Sequence, residues 1–318
     1  MHRIDGPGAT VDNKFTDGDP VGGIQATLVT DDWLTDIQEN VMAVVEAGPI
    51  TPTKGRAADL LDAIRKIISA QAGHGQCRLK FVNATTLRLD PQDGRNLIIQ
   101  GVPRQIPVAG VTLSNGGLSA NTTYYIYAFM NGTTMTLEAS VTGHSQDATT
   151  GVEIKTGDAT RTLVGGIRAN ASSQFADTPA TRHVASYYNR STRNGGVFNS
   201  AGLAYTNTLP AEISAALRVT FFTWGDEVVP IKATGQYIIG VNQSVTVEVR
   251  VDGAVYGDDS ANFENTSITG MTFSSIGNAL LPGQTLLSEG FHTSSPYGTV
   301  TGTTGTVTRI NHTLELRI

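Results

Sequence analysis

The chain has 318 residues, of which only 16% are charged, and 22 basic against 28 acidic side chains give a formal charge of −6. That balance leaves no electrostatic footprint for a nucleic-acid backbone, and no run approaches the roughly 18 apolar residues of a bilayer-spanning helix. Gly (35) and Thr (42) suit tight turns and pleated, half-buried surfaces, so the composition predicts a mainly β protein.

Residues 1 to about 28 scatter apolar side chains among Asp5-Gly6-Pro7-Gly8, Asp17-Gly18-Asp19-Pro20 and Gly22-Gly23. Pro and Gly at this density interrupt helix and ladder alike, which predicts an extended arm. Ile4, Val11, Phe15 and Ile24 are its candidate anchors on a partner. The start of the chain has no apolar core of a secretory signal, and the single cysteine, Cys77, cannot form an intrachain disulfide. Synthesis in a reducing compartment, without export by a signal of its own, is the expectation.

From Thr30 the apolar period becomes 3.6, with Trp33, Ile37, Val41 and Val44/Val45 on one helix face. Thr30 or Asp31 is placed to cap the helix and Gly48-Pro49 to end it. A second helix fits about 57–71 through Leu60, Leu61, Ile64, Ile67 and Ile68. Two short amphipathic helices need a shared or oligomeric core. Residues 1–72 are therefore read as an arm plus a two-helix region.

Beyond residue 76 the pattern is strand-like, and 73–190 reads as a middle β-sandwich domain. Tyr124–Met130 and Thr133–Ser140 flank Asn131-Gly132, predicting a hairpin with a type I′ turn. Further strands are expected at 79–82, 86–89, 96–100, 106–113, 161–167 and 183–188. A polar junction, Asn189–Gly196, precedes a second block, 191–318, with strands at 217–224, 236–240, 244–251, 254–256, 268–273 and 306–317. Asp252-Gly253 is the expected turn after 244–251. In the last strand, Val307, Arg309, Asn311, Thr313, Glu315 and Arg317 alternate with Ile310, Leu314 and Leu316, His312 being the polar exception. Two antiparallel, jelly-roll-like sandwiches are the predicted fold.

No G-x-S-x-G, H-E-x-x-H, P-loop or G-x-G-x-x-G sequence occurs, and the six His are widely separated. The expectation is a protein that is not an enzyme and that needs no cofactor or metal, with Cys77 structural. Asp226/Glu227 and Asp258/Asp259 are the local carboxylate pairs of the last block. Adjacent strand residues face opposite ways and turn carboxylates face water, which favours solvated loops for both pairs. What remains is sugar recognition by ring faces and short polar groups. The candidates are Trp224 at a strand end, His292 and Tyr297 in a loop over 291–298, and Tyr188, where one of Tyr187 and Tyr188 is expected inward and the other outward. For Trp224 a core or subunit-interface aromatic is the favoured alternative.

The opening Met1-His2-Arg3-Ile4-Asp5-Gly6-Pro7-Gly8-Ala9-Thr10, with Phe15-Thr16-Asp17-Gly18-Asp19-Pro20 and Val29-Thr30-Asp31-Asp32-Trp33-Leu34, resembles the N-terminus of tailed-bacteriophage tail fibre proteins. Ile37-Gln38-Glu39, Gly48-Pro49-Ile50-Thr51-Pro52 and Leu60-Leu61-Asp62-Ala63-Ile64 continue the likeness over about 70 residues. Tyr124-Tyr125-Ile126-Tyr127 and Ile154-Lys155-Thr156-Gly157-Asp158 with Arg161-Thr162-Leu163-Val164-Gly165 more loosely resemble β domains of phage tail proteins. The resemblance implies a homotrimeric virion tail component. Its N-terminal end, with Ile4, Phe15, Ile24 and Trp33, would dock on the tail or baseplate, and its distal end would meet host polysaccharide or lipopolysaccharide. The short length implies a stubby fibre or spike. A tailspike depolymerase with a carboxylate pair and a structural adaptor carrying another receptor-binding protein are the alternatives.

Overall fold

The computed structural model describes residues 2–71, 73–240, 242–256, 261–265, 271–277, 286–302 and 305–318, in two compact units, 1–73 and 74–318. In the first unit, helix α1 spans Asp31–Ala47. Thr30 stays extended and its hydroxyl accepts the Trp33 N–H at 3.4 Å, while Asp31 and Asp32 lie at the positive end of the helix dipole. Gly48 closes α1 by donating its N–H to Val44 O. It also permits close packing on α2, Asp59–Gln71, because a Cβ at residue 48 would stand 2.4 Å from the Ala63 Cα. Val45 and Ala63 are buried there, whereas Leu34, Val41, Leu60, Leu61, Ile64 and Ile68 stay largely exposed. The arm doubles back on itself. Leu28 N–H bonds Pro7 O, Thr27 N–H bonds Thr16 O, and Asp19 and Ile24 exchange two backbone bonds at 2.8 Å.

Among the described residues, the strand pairs of the second unit are antiparallel except for one short parallel pair. Cys77–Asn83, Thr86–Pro91 and Val111–Ser114 form a three-stranded sheet. Asp158–Arg168 lies at the centre of a second sheet, between Thr123–Asn131 and Glu153–Lys155. Their shared core holds Leu79, Leu87, Leu89, Ile126, Val164, Ile167 and Phe175. Cys77 is fully buried in it, and burial pushes its thiol up to about 12, which leaves it unreactive.

Two larger sheets face each other as a sandwich over 192–318. Gly290–Thr301 runs between Val219–Thr223 and Gln243–Val251 in one, and Gly305–Arg317 between Thr192–Asn199 and Ile231–Ile239 in the other. Val245, Val247, Val249 and Val251 bury alternate positions against Val307, Ile310, Leu314 and Leu316. The apolar core continues into Tyr127, Leu163 and Ala185 of the middle block. The parallel pair, Thr181–Arg182 on Val219–Thr223, also joins the two blocks.

Five local expectations change. The hairpin turn centres on Gly132-Thr133, with Asn131 paired to Thr134. Only Gly132 takes a positive φ (61°), which fits a type II′ turn instead of I′. The strand expected over 106–113 is confined to Val111–Ser114. The junction 189–196 becomes a strand from Thr192 onward, because Thr192–Asn199 finds eight register partners in the final strand. The loop expected over 291–298 lies inside the strand Gly290–Thr301. In the last strand a bulge pairs Gln236 with Arg309 but Tyr237 with Val307, so Thr308 is the extra residue and Val307 points inward with Ile310. Asp252 (φ 51°) and Gly253 (φ 83°) form the expected turn, joining Gln243–Val251 to Ala254–Val255. Of the strand expected over 268–273, residues 271–273 belong to Met271–Gly277 and 268–270 lie outside the described residues.

Candidate functional site

Several strand ends of the second unit converge on one imidazole. His144 begins His144–Gln146, Glu153 begins Glu153–Lys155, and Tyr125 lies in Thr123–Asn131. Trp224 follows Val219–Thr223, and Glu289 immediately precedes Gly290–Thr301. Gly225 makes the convergence possible. It holds φ at 72°, and a Cβ there would come 2.7 Å from the Glu289 N, so only glycine lets the two segments approach.

His144 Nδ1 lies 2.7 Å from Glu153 Oε2, and its Nε2 lies 3.1 Å from Glu289 Oε2. The rings of Tyr125, Tyr187 and Trp224 meet it edge-on at centroid distances of 5.4, 5.9 and 6.1 Å. The Arg190 guanidinium stands 5.5 Å from the Trp224 ring and bonds both Asp226 oxygens at 2.6 and 2.7 Å. The hydrogen bond to Glu289 raises the His144 pKa, against the opposing effect of burial. Burial opposes ionisation of Glu289, yet the bonds from His144 and Tyr125 outweigh it and hold that carboxyl below its usual range. Burial raises the Tyr125 and Tyr187 phenols. The arrangement can pass a proton between two carboxylates through one imidazole. It also ties the middle sheets to the sandwich by charge-assisted bonds.

The structure brings two of the four expected sugar contacts into this cluster and leaves two out. Trp224 is 6% exposed and donates its Nε1–H to Ser186 O at 3.0 Å. Tyr188 packs edge-on to Tyr187 at 5.0 Å, and its hydroxyl lies 2.7 Å from His74 Nε2. Tyr187 and Tyr188 are both half-buried, so neither ring faces fully outward. His292 is 5% exposed within its strand, with Nδ1 2.6 Å from Asp252 Oδ2 and Nε2 donating to Ser288 O. Tyr297 lies under the Arg250 guanidinium at 4.8 Å.

Asp226 is held by Arg190, Glu227 accepts the Arg317 N–H at 3.0 Å, and Asp258 and Asp259 lie outside the described residues. In the first unit Ile4 is buried. Phe15 is half-exposed, with its ring edge-on to Trp33 at 5.0 Å, and Ile24 is exposed. Sequence reasoning missed His144, Glu153, Glu289 and Arg190. Glu289 lies 145 residues from His144, and no local spacing links them.

No protein-family profile matches the chain. The uncharacterized protein StfP of Escherichia coli (strain K12) is 40% identical over 74 residues, 21% of this chain and 35% of that protein. The chain thus spans about a third of the length of the curated relative it matches. Among solved structures, infectious bursal disease virus (Gx strain) aligns over 76% of this chain and 57% of its own at TM-score 0.28 and 9% identity. A β-porphyranase of glycoside hydrolase family 86 from Bacteroides plebeius aligns over 78% and 38% at TM-score 0.22 and 10% identity. Values this low define no shared fold. Among the described residues, no helix is long and apolar enough to cross a membrane.

Proposed function

We propose that this chain is a virion component of a tailed bacteriophage. It would be a short, homotrimeric tail fibre or spike that docks on tail or baseplate proteins through residues 1–72 and meets a bacterial surface glycan through its C-terminal sandwich. The observation that carries the reading is the ordered head. A hydrogen-bonded arm and two packed helices leave Leu34, Val41, Leu61, Ile64 and Ile68 exposed, more apolar surface than a free helical pair tolerates. The tail-fibre resemblance lies in the same residues, and the 40% match over 74 residues supports a relationship to StfP.

Adsorption is the test. Full-length protein added to host cells before virions should slow adsorption in proportion to dose. Protein that neither binds those cells nor delays infection would refute the receptor role.

The role is proposed as non-catalytic. The depolymerase alternative has one observation in its favour, the pair Glu153 and Glu289 on either side of His144. Release of reducing ends from host polysaccharide, abolished by Glu289→Gln, would establish it.

A further inference from the structure

The outer face of the sheet containing the final strand holds a groove of about 460 Å3. Asn194, Gly195, Pro230, Lys232, Thr313 and Glu315 line it. The pairing explains why these residues meet. Asn194 is opposite Glu315, and Thr313 is flanked by Gly196 on one side and Lys232 on the other. Gly196, next along the strand, leaves no side chain beside Thr313, since a Cβ there would lie 2.9 Å from His312 O and 3.0 Å from Thr313 Cγ2. Alternation along Thr192–Asn199 then puts Asn194, Gly196 and Phe198 on one face. Phe198, 65% exposed, lies outside the groove on the same face, about 14 Å along the strand from Asn194, within the reach of an oligosaccharide laid along it.

Many charges of the unit are tied up in ion pairs, and those of this groove are not. Glu212 is paired with Arg218, Glu248 with Arg250, Asp226 with Arg190, and Glu138 with Lys155. Lys232 and Glu315 line one groove, yet among the described residues neither has an ion-pair or side-chain hydrogen-bond partner, and the same holds for the Asn194 amide and Thr313 hydroxyl. Four unspent polar groups in the groove, with an exposed ring farther along the same face, are the chemistry of sugar recognition. A carboxylate accepts two vicinal hydroxyls, an amide both donates and accepts, an ammonium donates, and a ring covers the apolar face of a pyranose. One cation and one carboxylate make the groove neutral, and residues 191–318 carry 10 acidic against 6 basic side chains. That balance fits a neutral glycan better than a polyanion.

We propose that this groove, and not the Trp224–His144 cluster, is the saccharide subsite of the C-terminal sandwich. It takes a neutral oligosaccharide whose hydroxyls bond Glu315, Asn194 and Lys232 and whose ring face rests on Phe198. This inference rests on the receptor-binding reading above.

The test uses full-length protein passed over immobilised lipopolysaccharide purified from the host strain. Each of Glu315→Gln, Asn194→Ala and Phe198→Ala is expected to weaken binding about tenfold, roughly the effect of losing one hydrogen bond or one ring-face contact. Tyr297→Phe, on the opposite sheet, should bind as the parent does, and all four should keep the parent melting temperature. Neutral O-polysaccharide fragments should compete, and uronic-acid-rich capsule fragments should not; the reverse order overturns the proposal. If the parent binds and all three groove variants bind equally well, the groove is wrong while the receptor reading stands. If the parent binds neither host lipopolysaccharide nor host cells, both fail. If the variants instead change the sedimenting species with binding intact, the face is a contact between copies and the proposal is overturned.

Discussion

Gly166 lies in the central strand Asp158–Arg168, and a methyl replacing its hydrogen would stand 2.5 Å from Phe222 Cζ and 2.9 Å from Cε1. The ring has nowhere to retreat, being fully buried and edge-on to Trp224 at 5.0 Å. Gly166 holds an ordinary negative φ, so alanine adds no backbone strain there. Overpacking of this kind costs about 1–3 kcal/mol, offset by the roughly 0.4–1 kcal/mol that Gly→Ala gains from a stiffer unfolded chain. Gly166→Ala should therefore lose about 1–2 kcal/mol, a fall in Tm of roughly 2–8 °C for a unit of this size. Phe222→Ala alone should cost about 3–5 kcal/mol and leave space for the new methyl. In the double variant the clash disappears, so the two losses should fall short of additivity by about 1–3 kcal/mol. Urea denaturation followed by tryptophan fluorescence measures all four corners of the cycle. Additive losses, or a Gly166→Ala protein as stable as the parent, would show that the middle sheet does not pack on the sandwich through this contact.

Acid should weaken the fold. Burial pushes the His183 and His312 imidazoles down to about 4, while unfolded histidines titrate near 6.5. The unfolded chain thus binds more protons below about 6.5, and stability should fall from there towards 4 by on the order of 3 kcal/mol per histidine. His312→Gln should flatten part of that decline in a Tm-against-pH scan, and a flat parent profile over that range would contradict the assignment. His144 has the opposite sign, because its folded pKa is raised. Its contribution is complete below the unfolded value near 6.5 and is lost as pH rises through the folded one, so His144→Gln should remove an alkaline fall in Tm present in the parent. Thr30→Ala should cost α1 about 1 kcal/mol, seen as faster amide exchange in its first turn, and unchanged exchange would mean the Thr30 hydroxyl contributes nothing.

The helical head was readable because its signals are local. Thr30 caps, Gly48 stops, and the 3.6 period lies in consecutive residues. Asp252-Gly253 was legible for the same reason. Thr192–Asn199 was not, since Thr-Arg-Asn-Gly-Gly carries no strand pattern of its own and becomes a strand only through eight partners more than 100 residues away. The bulge at Thr308 belongs to the same class, because its phase change is defined by Tyr237 and Gln236 on another strand. For Trp224 the sequence offered both a sugar contact and a core aromatic, and packing decides for the core, whereas His292, expected in a loop, is buried within a strand. The groove was hidden for the converse reason. Asn194, Lys232 and Glu315 are unremarkable alone and meet only across three strands.

The pairing of Thr192–Asn199 with the final strand also has a mechanical meaning. Ser191 and Ile318 exchange backbone bonds at 2.8 and 3.1 Å, so the chain enters the sandwich beside its last residue. Eight antiparallel pairs follow directly, from Thr192 with Arg317 to Asn199 with Ile310. Tension applied at Ser191 along this strand, with the sandwich held at its outer face, slides the two strands past each other and does not peel them apart. All eight pairs share the load at once, so the sandwich resists pulling along this axis far better than peeling from its edge.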